Sequence, residues 1–230
     1  MAPCLSYLYG TDWLGRDMLL RTFAGLSMSI RIGLLAAGFS AIIAFVLGVS
    51  AAVFGGKADA VISFVIDMIM GIPHILLLLL ISYALGKGVI GGVVGVALIH
   101  WPALARGILA EVLQVKNSTY IQVAEKLGQS KIKTALKHMT PHIFPQFLVG
   151  LILMFPHAIL HEAGITFLGF GLPAEQPAIG IILSESMKYL ITGKWWLAVF
   201  PGAMLVFTGI LFDVAGSMLR KMLDPSSAHE

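Results

Sequence analysis

Long apolar runs separated by short polar breaks fill this chain, and one polar island interrupts them. The runs cover residues 29–54, 61–85, 89–112, 143–165 and 195–219. Each is long enough for the ~20 apolar residues that cross a bilayer core as a helix. The pattern therefore predicts five membrane spans. The first run is rich in Gly, Ala and Ser, which let helices approach closely in lipid. The second contains Asp67, Pro73 and His74, so a kinked helix is expected. The third opens with Gly88/Gly92 and Gly91/Gly95, two overlapping small-xxx-small pairs suited to a helix–helix contact. Trp195 and Trp196 fit an interfacial anchor at the start of the fifth. Between the runs lie turns at 55–59 and 86–88, and a loop at 169–193 with Pro173, Pro177, Gly180 and short apolar pieces. Ahead of the first run, residues 10–17 read as a turn-rich segment leading into an amphipathic helix at 18–26.

The island at 119–145 has only one acid, Glu125, and with Lys116 just before it carries five lysines, the others being Lys126, Lys131, Lys133 and Lys137. Basic segments between spans face the cytoplasm. Alternation then places the Lys57 turn and the Arg220-Lys221 end inside, and segment 1–28, the Lys87 turn and the 169–195 loop outside. The island reads as two short helices. Thr119 followed by Gln122 fits a capping box, so a helix starts at Tyr120. Tyr120, Val123, Ala124 and Leu127 recur at helical spacing and form one apolar face. Gly128 is the expected stop. Ser130 caps a second helix, which Pro141 ends. A short amphipathic helix on a membrane protein buries its apolar face in the interface or in a groove on another protein.

Composition supports the span pattern. The 230 residues are 58% hydrophobic and 12% charged, where a soluble domain carries roughly 25% charged residues. The fold class is all-α, polytopic in the membrane. Its parts are an extracytoplasmic lead-in at 1–28, a membrane domain at 29–219 containing the cytoplasmic loop 114–142, and a cytoplasmic tail at 220–230. The net charge of +3 concentrates in the island and excludes a nucleic-acid surface. Cys4 is the single cysteine, so an internal disulfide and a cysteine metal cluster are excluded. Residues 1–9 lack the basic start and apolar core of a signal peptide.

Two stretches of the island resemble a known motif. Gln122-Val123-Ala124 with Gly128, followed by His138 and Pro141, resembles the EAA motif of the permease subunits of ABC importers. Gly10-Thr11-Asp12, with Gly15-Arg16-Asp17, and Ile165-Thr166-Phe167-Leu168-Gly169-Phe170-Gly171 resemble segments of the C-type permeases of dipeptide, oligopeptide and nickel importers. Gln122 and Val123 depart from the usual Glu and Ala, and His142 stands where Asn is usual. The resemblance implies that Tyr120, Gln122, Val123, Ala124, Leu127, Gly128, His138 and Pro141 couple the chain to an ATPase. It implies as partners a second homologous permease, two ATP-binding subunits and an extracytoplasmic solute-binding protein. The location implied is a bacterial or archaeal cytoplasmic membrane. The five spans become the second to sixth of a six-span plan, since residues 1–9 are too short to cross. No cofactor is expected on this chain, and ATP-Mg is expected on the ATPase subunits. Neither Gly86-Lys87 nor Gly193-Lys194 has the upstream glycine of a phosphate-binding loop.

Ionisable residues within spans are functional candidates, because placing them in lipid is costly. Asp67, Met154, His157, His161, Glu162 and Asp213 form the expected translocation pathway. His157 and His161 are four residues apart on one helix face, with Met154 a turn before, and suit transient contact with Ni(II) or Zn(II). The cargo expected is nickel, a nickel chelate or a short peptide. Asp67 and Asp213 also have Arg31 and Arg106 as pairing options, and Arg16 and Asp17 are expected to pair locally or with a neighbouring subunit. A metalloprotease is excluded because His161-Glu162 lacks the second His of His-Glu-x-x-His. A self-contained secondary transporter or channel would show interrupted helices in two matching halves, and no such repeat is present.

Overall fold

Asp17 opens the first helix: its carboxylate accepts the Leu19 N–H at 2.7 Å. In the computed structural model, which describes residues 1–223 with the Glu125 side chain aside, α1 then runs unbroken through Met18–Phe54. The separate helix expected at 18–26 is its first turns, because no cap, Gly or Pro pair stops the chain before residue 29. Residues 28 and 29 therefore do not mark a boundary.

Helices α2 (Gly56–Met70) and α3 (His74–Ala84) replace the expected kinked span and meet at 96°. Pro73 lacks an N–H and disfavours helix in the residue before it, and Gly71 adds backbone freedom, so three residues break the ladder outright. Helix α4 (Val89–Lys116) absorbs Pro102. Of its two small-residue pairs, Gly91/Gly95 meets α3, where a Cβ on Gly95 would lie 2.8 Å from Leu78 Cδ1, while Gly92 faces Ile165 and nothing lies within 4 Å of Gly88. Gly48 of α1 lies against α4 so closely that a Cβ there would sit 2.7 Å from the Ala105 carbonyl oxygen.

Helix α5 is Thr119–Lys126 and α6 is Lys131–Thr134, followed by a π turn at Ala135–Met139 and α7 at Thr140–Phe167. Pro141 does not end a helix. It sits in the first turn of α7, and the π turn before it displaces the carbonyl its ring would strike. Helix α8 (Ile179–Leu190) occupies about half of the stretch expected to be a loop. It is too short to span, and it packs so tightly on α7 that a Cβ on Gly180 would lie 2.4 Å from the Ala163 carbonyl oxygen. Helix α9 (Trp196–Leu223) closes the fold. Of the predicted tail, 224–230 lies outside the described residues.

Among the described residues four helices are long and apolar enough to cross a membrane, and a fifth span results if α2 and α3 count as one. The interior has three parts. One joins α1, α3, α4, α7 and α8 around Ile32, Leu78, Val96 and Ile165. A second joins α1, α7, α8 and α9 around Phe155, Ile159 and Leu197. The third gathers Val112, Val115, Ile121, Ala135, Met139 and Ile143 at the cytoplasmic end, where it seats the island.

Candidate functional site

The island is built from a helix with two apolar faces. At about 100° per residue, Ile121 and Val123 lie roughly 160° apart around α5. Ile121 and Ala124 turn inward and are buried, whereas Tyr120, Val123 and Leu127 are 47%, 48% and 79% exposed. The single face expected from sequence is thus divided. Ala124 belongs with Ile121, the seat residue that the spacing argument missed, and the other three face outward. Thr119 is not a cap: α5 already begins there, and Gln122 Nε2 donates to the Asn117 carbonyl at 3.2 Å. Gly128 does stop the helix, at a left-handed φ of 85°. Ser130 caps α6 by accepting the Lys133 N–H.

Exposed Ile132 and Leu136 extend the outward apolar surface, and Lys126, Lys131, Lys133 and Lys137 surround it with positive charge. The i, i+4 spacing of Ile132 and Leu136 was a readable signal for that extension. His138 faces the Tyr120 ring at 6.4 Å, and Pro141 is exposed next to it. Tyr120 also borders a cleft of ≈ 540 Å³ with Glu111, Gln114, Ser118 and His142. Lys116 Nζ donates to the Ala52 carbonyl at 2.8 Å, tying the end of α4 to α1 directly above this surface.

A second polar site lies deeper. Asp67 pairs with Arg106 rather than Arg31, joining α2 to α4. Asp67 follows Gly56 by eleven residues and Arg106 precedes Lys116 by ten. At ~1.5 Å per residue both stand about 15 Å along their helices from the ends at Gly56 and Lys116.

Outward of this pair, three histidines from three helices converge. The His161 ring lies 4.9 Å from His100 and 6.4 Å from His74. Nδ1 of His161 donates to the His157 carbonyl at 2.8 Å, and Nδ1 of His100 to the Val96 carbonyl at 3.0 Å, leaving Nε2 of both rings as acceptors. His161 also borders an apolar cavity of ≈ 470 Å³ with Ile75, Leu78 and Leu168.

The structure places the residues of the expected pathway in different surroundings. His161 meets His74 and His100 rather than its sequence neighbour His157, whose side chain is exposed. Among the described residues no group of three or more His, Cys, Asp or Glu is placed to hold a metal ion. Met154 and Glu162 are buried inside the bundle instead of sharing a surface with Asp67. Glu162 accepts from Thr166 Oγ1 at 2.9 Å, and Thr166 accepts the Leu172 N–H at 3.2 Å, so this carboxyl knots the end of α7. Asp213 is exposed on α9, which packs on α7 and α8, away from the α2–α4 pair.

At the outer end, Asp12 is the hub. Its carboxylate accepts the N–H groups of Leu14 and Arg16 at 2.9 Å each and the Arg16 Nε at 2.6 Å, with Arg21 at 3.4 Å. Burial alone would push this carboxyl up. The Arg16 and Leu14 N–H groups and the Arg16 guanidinium outweigh it and hold the pKa below the ordinary value. Arg16 thus pairs with Asp12, while Asp17 caps α1. Arg21 reaches on to Glu185 of α8.

Residues 44–228 match the family described as Binding-protein-dependent transport system inner membrane component. The chain belongs to this family. It is a multi-pass permease subunit of an ABC importer in the inner membrane, as the island and the span pattern imply. It is 29% identical to the dipeptide transport system permease protein DppC of Bacillus subtilis, over 98% of this chain and 70% of that one. It is 32% identical to the oligopeptide transport system permease protein OppC of the same organism, over 97% and 73%. It is 31% identical to the probable D,D-dipeptide transport system permease protein DdpC of Escherichia coli, over 99% and 76%. Among solved structures, a chain of the MetNI methionine ABC transporter in an inward-facing conformation is similar in fold. The TM-score is 0.73 at 16% identity, covering 93% of this chain and all of that one.

Proposed function

We propose that this permease moves short peptides and is driven through α5 by separate ATP-binding subunits. The observation that carries the coupling role is the division of α5. Ile121 and Ala124 fasten the helix to the membrane body, while Tyr120, Val123 and Leu127 remain uncovered within a ring of lysines. A helix fixed on one side and apolar on the other transmits the motion of whatever groove covers its free side. Gln122, Gly128, His138 and Pro141 shape this surface: Gly128 ends the helix and His138 supports Tyr120. The complete importer then holds this chain, a second homologous permease, two ATPase subunits carrying ATP-Mg, and an extracytoplasmic binding protein that delivers cargo. Alternating access follows when closure of the ATPase dimer drags α5.

Peptide is favoured over nickel as cargo. Several curated relatives are named as peptide permeases. The test is uptake of radiolabelled dialanine and of nickel by the importer reconstituted in vesicles with its binding protein. ATP-dependent dialanine uptake supports the reading, and uptake of nickel without dialanine refutes it.

A further inference from the structure

Asp67 and Arg106 form an ion pair that is open on the outside: their side chains are 65% and 50% exposed although both lie within segments long and apolar enough to count as membrane spans. Charges facing acyl chains within a span are costly, so this face meets water or protein rather than lipid. The backbone beside it agrees independently. Helix α2 is interrupted at residues 71–73, inside its candidate span. Irregular backbone within a span is tolerated where it lines a cavity or is covered by protein. Ile66 is the one buried residue of α2, so the helix presents a broad open side there.

We propose that Asp67 and Arg106 are the intramembrane contact for the two charged ends of a zwitterionic short peptide. This rests on the peptide-permease reading given above. Arg106 offers a guanidinium fork that fits the terminal carboxylate, and Asp67 accepts the terminal ammonium. Two residues of extended chain span about 7 Å, within reach of two long side chains rotated apart. The cargo takes the place of each partner, so every charge stays compensated and the net charge there stays zero throughout. A cargo of one sign would leave Asp67 or Arg106 unpaired. The His74, His100 and His161 rings lie outward of the pair, and the Nε2 acceptors of His100 and His161 suit the N–H groups of an approaching peptide.

The test uses the complete importer, with its binding protein, in vesicles. Asp67→Asn combined with Arg106→Gln keeps a hydrogen-bonding pair and removes both charges. Dialanine uptake per assembled complex is expected to fall at least tenfold, and wild-type uptake in this variant overturns the proposal. A second measurement separates cargo contact from a mere clamp between α2 and α4. In a Cys4→Ser background, Ala103→Cys, an exposed position one turn from Arg106 that leaves both charges in place, is expected to react with a water-soluble methanethiosulfonate, and binding protein loaded with dialanine plus ATP is expected to slow the reaction severalfold. Absence of labelling, or labelling indifferent to cargo, overturns it. If wild-type vesicles take up no dialanine, the peptide reading itself fails. If they do and both variants behave as a clamp predicts, only this inference fails.

Discussion

Replacing Leu127 with Asp should separate ATP hydrolysis from transport without unfolding the permease. Full burial of an apolar side chain contributes ~1.5–3 kcal/mol. Leu127 is 79% exposed, so covering it leaves about 1–2 kcal/mol to gain. Val123 and Tyr120, about half exposed, add about 1 kcal/mol each, bringing the face to ~3–4 kcal/mol, or two to three decades in docking constant. Leu127→Ala removes roughly one decade of that. Leu127→Asp removes the same contact and adds the desolvation of a carboxylate, so a loss of at least ~100-fold is expected. The control is Ile121→Ala. That side chain is fully buried in the seat of α5, and its loss should cost the permease itself about 2–4 kcal/mol. The assays are recovery of ATPase subunits with the purified permease, the ratio of dialanine uptake to ATP hydrolysed in vesicles, and thermal unfolding of the permease alone. Leu127→Asp should lower the first two and spare the third, whereas Ile121→Ala should lower the third. Wild-type recovery and coupling in Leu127→Asp would refute the reasoning, as would a melting loss equal to that of Ile121→Ala.

Asp12→Asn should lower the stability of the outer end by about 1–2 kcal/mol, because Asn keeps an acceptor for the Leu14 and Arg16 N–H groups while the half-exposed Arg16 guanidinium loses its charged partner. Since the folded pKa of Asp12 is depressed, its contribution is fully present above the unfolded value of about 3.9 and fades as pH falls through the lower folded value. The melting difference between wild type and variant in detergent should be constant from about pH 8 to 5 and shrink below about pH 4. A difference that instead grows on acidification would reverse the assignment. Gly48→Leu drives a side chain into the Ala105 carbonyl and should cost at least 1–3 kcal/mol by overpacking, read as aggregation on size exclusion, with Gly38→Leu on an open part of α1 as the tolerated control. Lys116→Met keeps the side-chain bulk but loses the bond to the Ala52 carbonyl, worth ~1.5–3 kcal/mol. It should lower uptake per ATP while ATPase recovery stays normal, and unchanged coupling would show that the tie carries no motion.

Helix existence was legible because lipid enforces it: a run of apolar residues has few ways to satisfy its backbone in hydrocarbon. What needed tertiary context was less so. Pro73 announced a disturbance, yet whether a proline kinks or breaks a span depends on what receives the freed backbone groups, and that is a neighbour's property. Helix α8 hid among Pro and Gly because Ile179, Ile181 and Ile182 make too short a run to suggest a span, and their burial comes from α1, α7 and α9. On the island, Tyr120, Val123, Ala124 and Leu127 were found by spacing, but spacing cannot say which side of a wide apolar arc meets its own chain. The Asp67–Arg106 pair stood among the options. His161 meeting His100 and His74 did not, because three helices had to be placed before those rings could converge.

Helix α4 connects the two polar sites. Its cytoplasmic end passes through Asn117 and Ser118 directly into α5, and Ser118 accepts the Ile121 and Gln122 N–H groups at 3.2 Å each, so the joint is short and hydrogen-bonded. About 15 Å up the same helix stands Arg106. A force on α5 has little slack to take up before α4 moves. Asp67, by contrast, sits on α2, which is held by few buried contacts and ends at a break. A stiff element carrying one charge therefore lies beside a loosely held element carrying the other. Displacement of α4 must then either drag α2 with it or open the pair. The first outcome moves a wall of the passage, and the second frees a guanidinium and a carboxylate within the membrane. Either response converts motion at the cytoplasmic surface into a change at the depth where cargo has to pass, which an exposed pair between two equally rigid helices could not do.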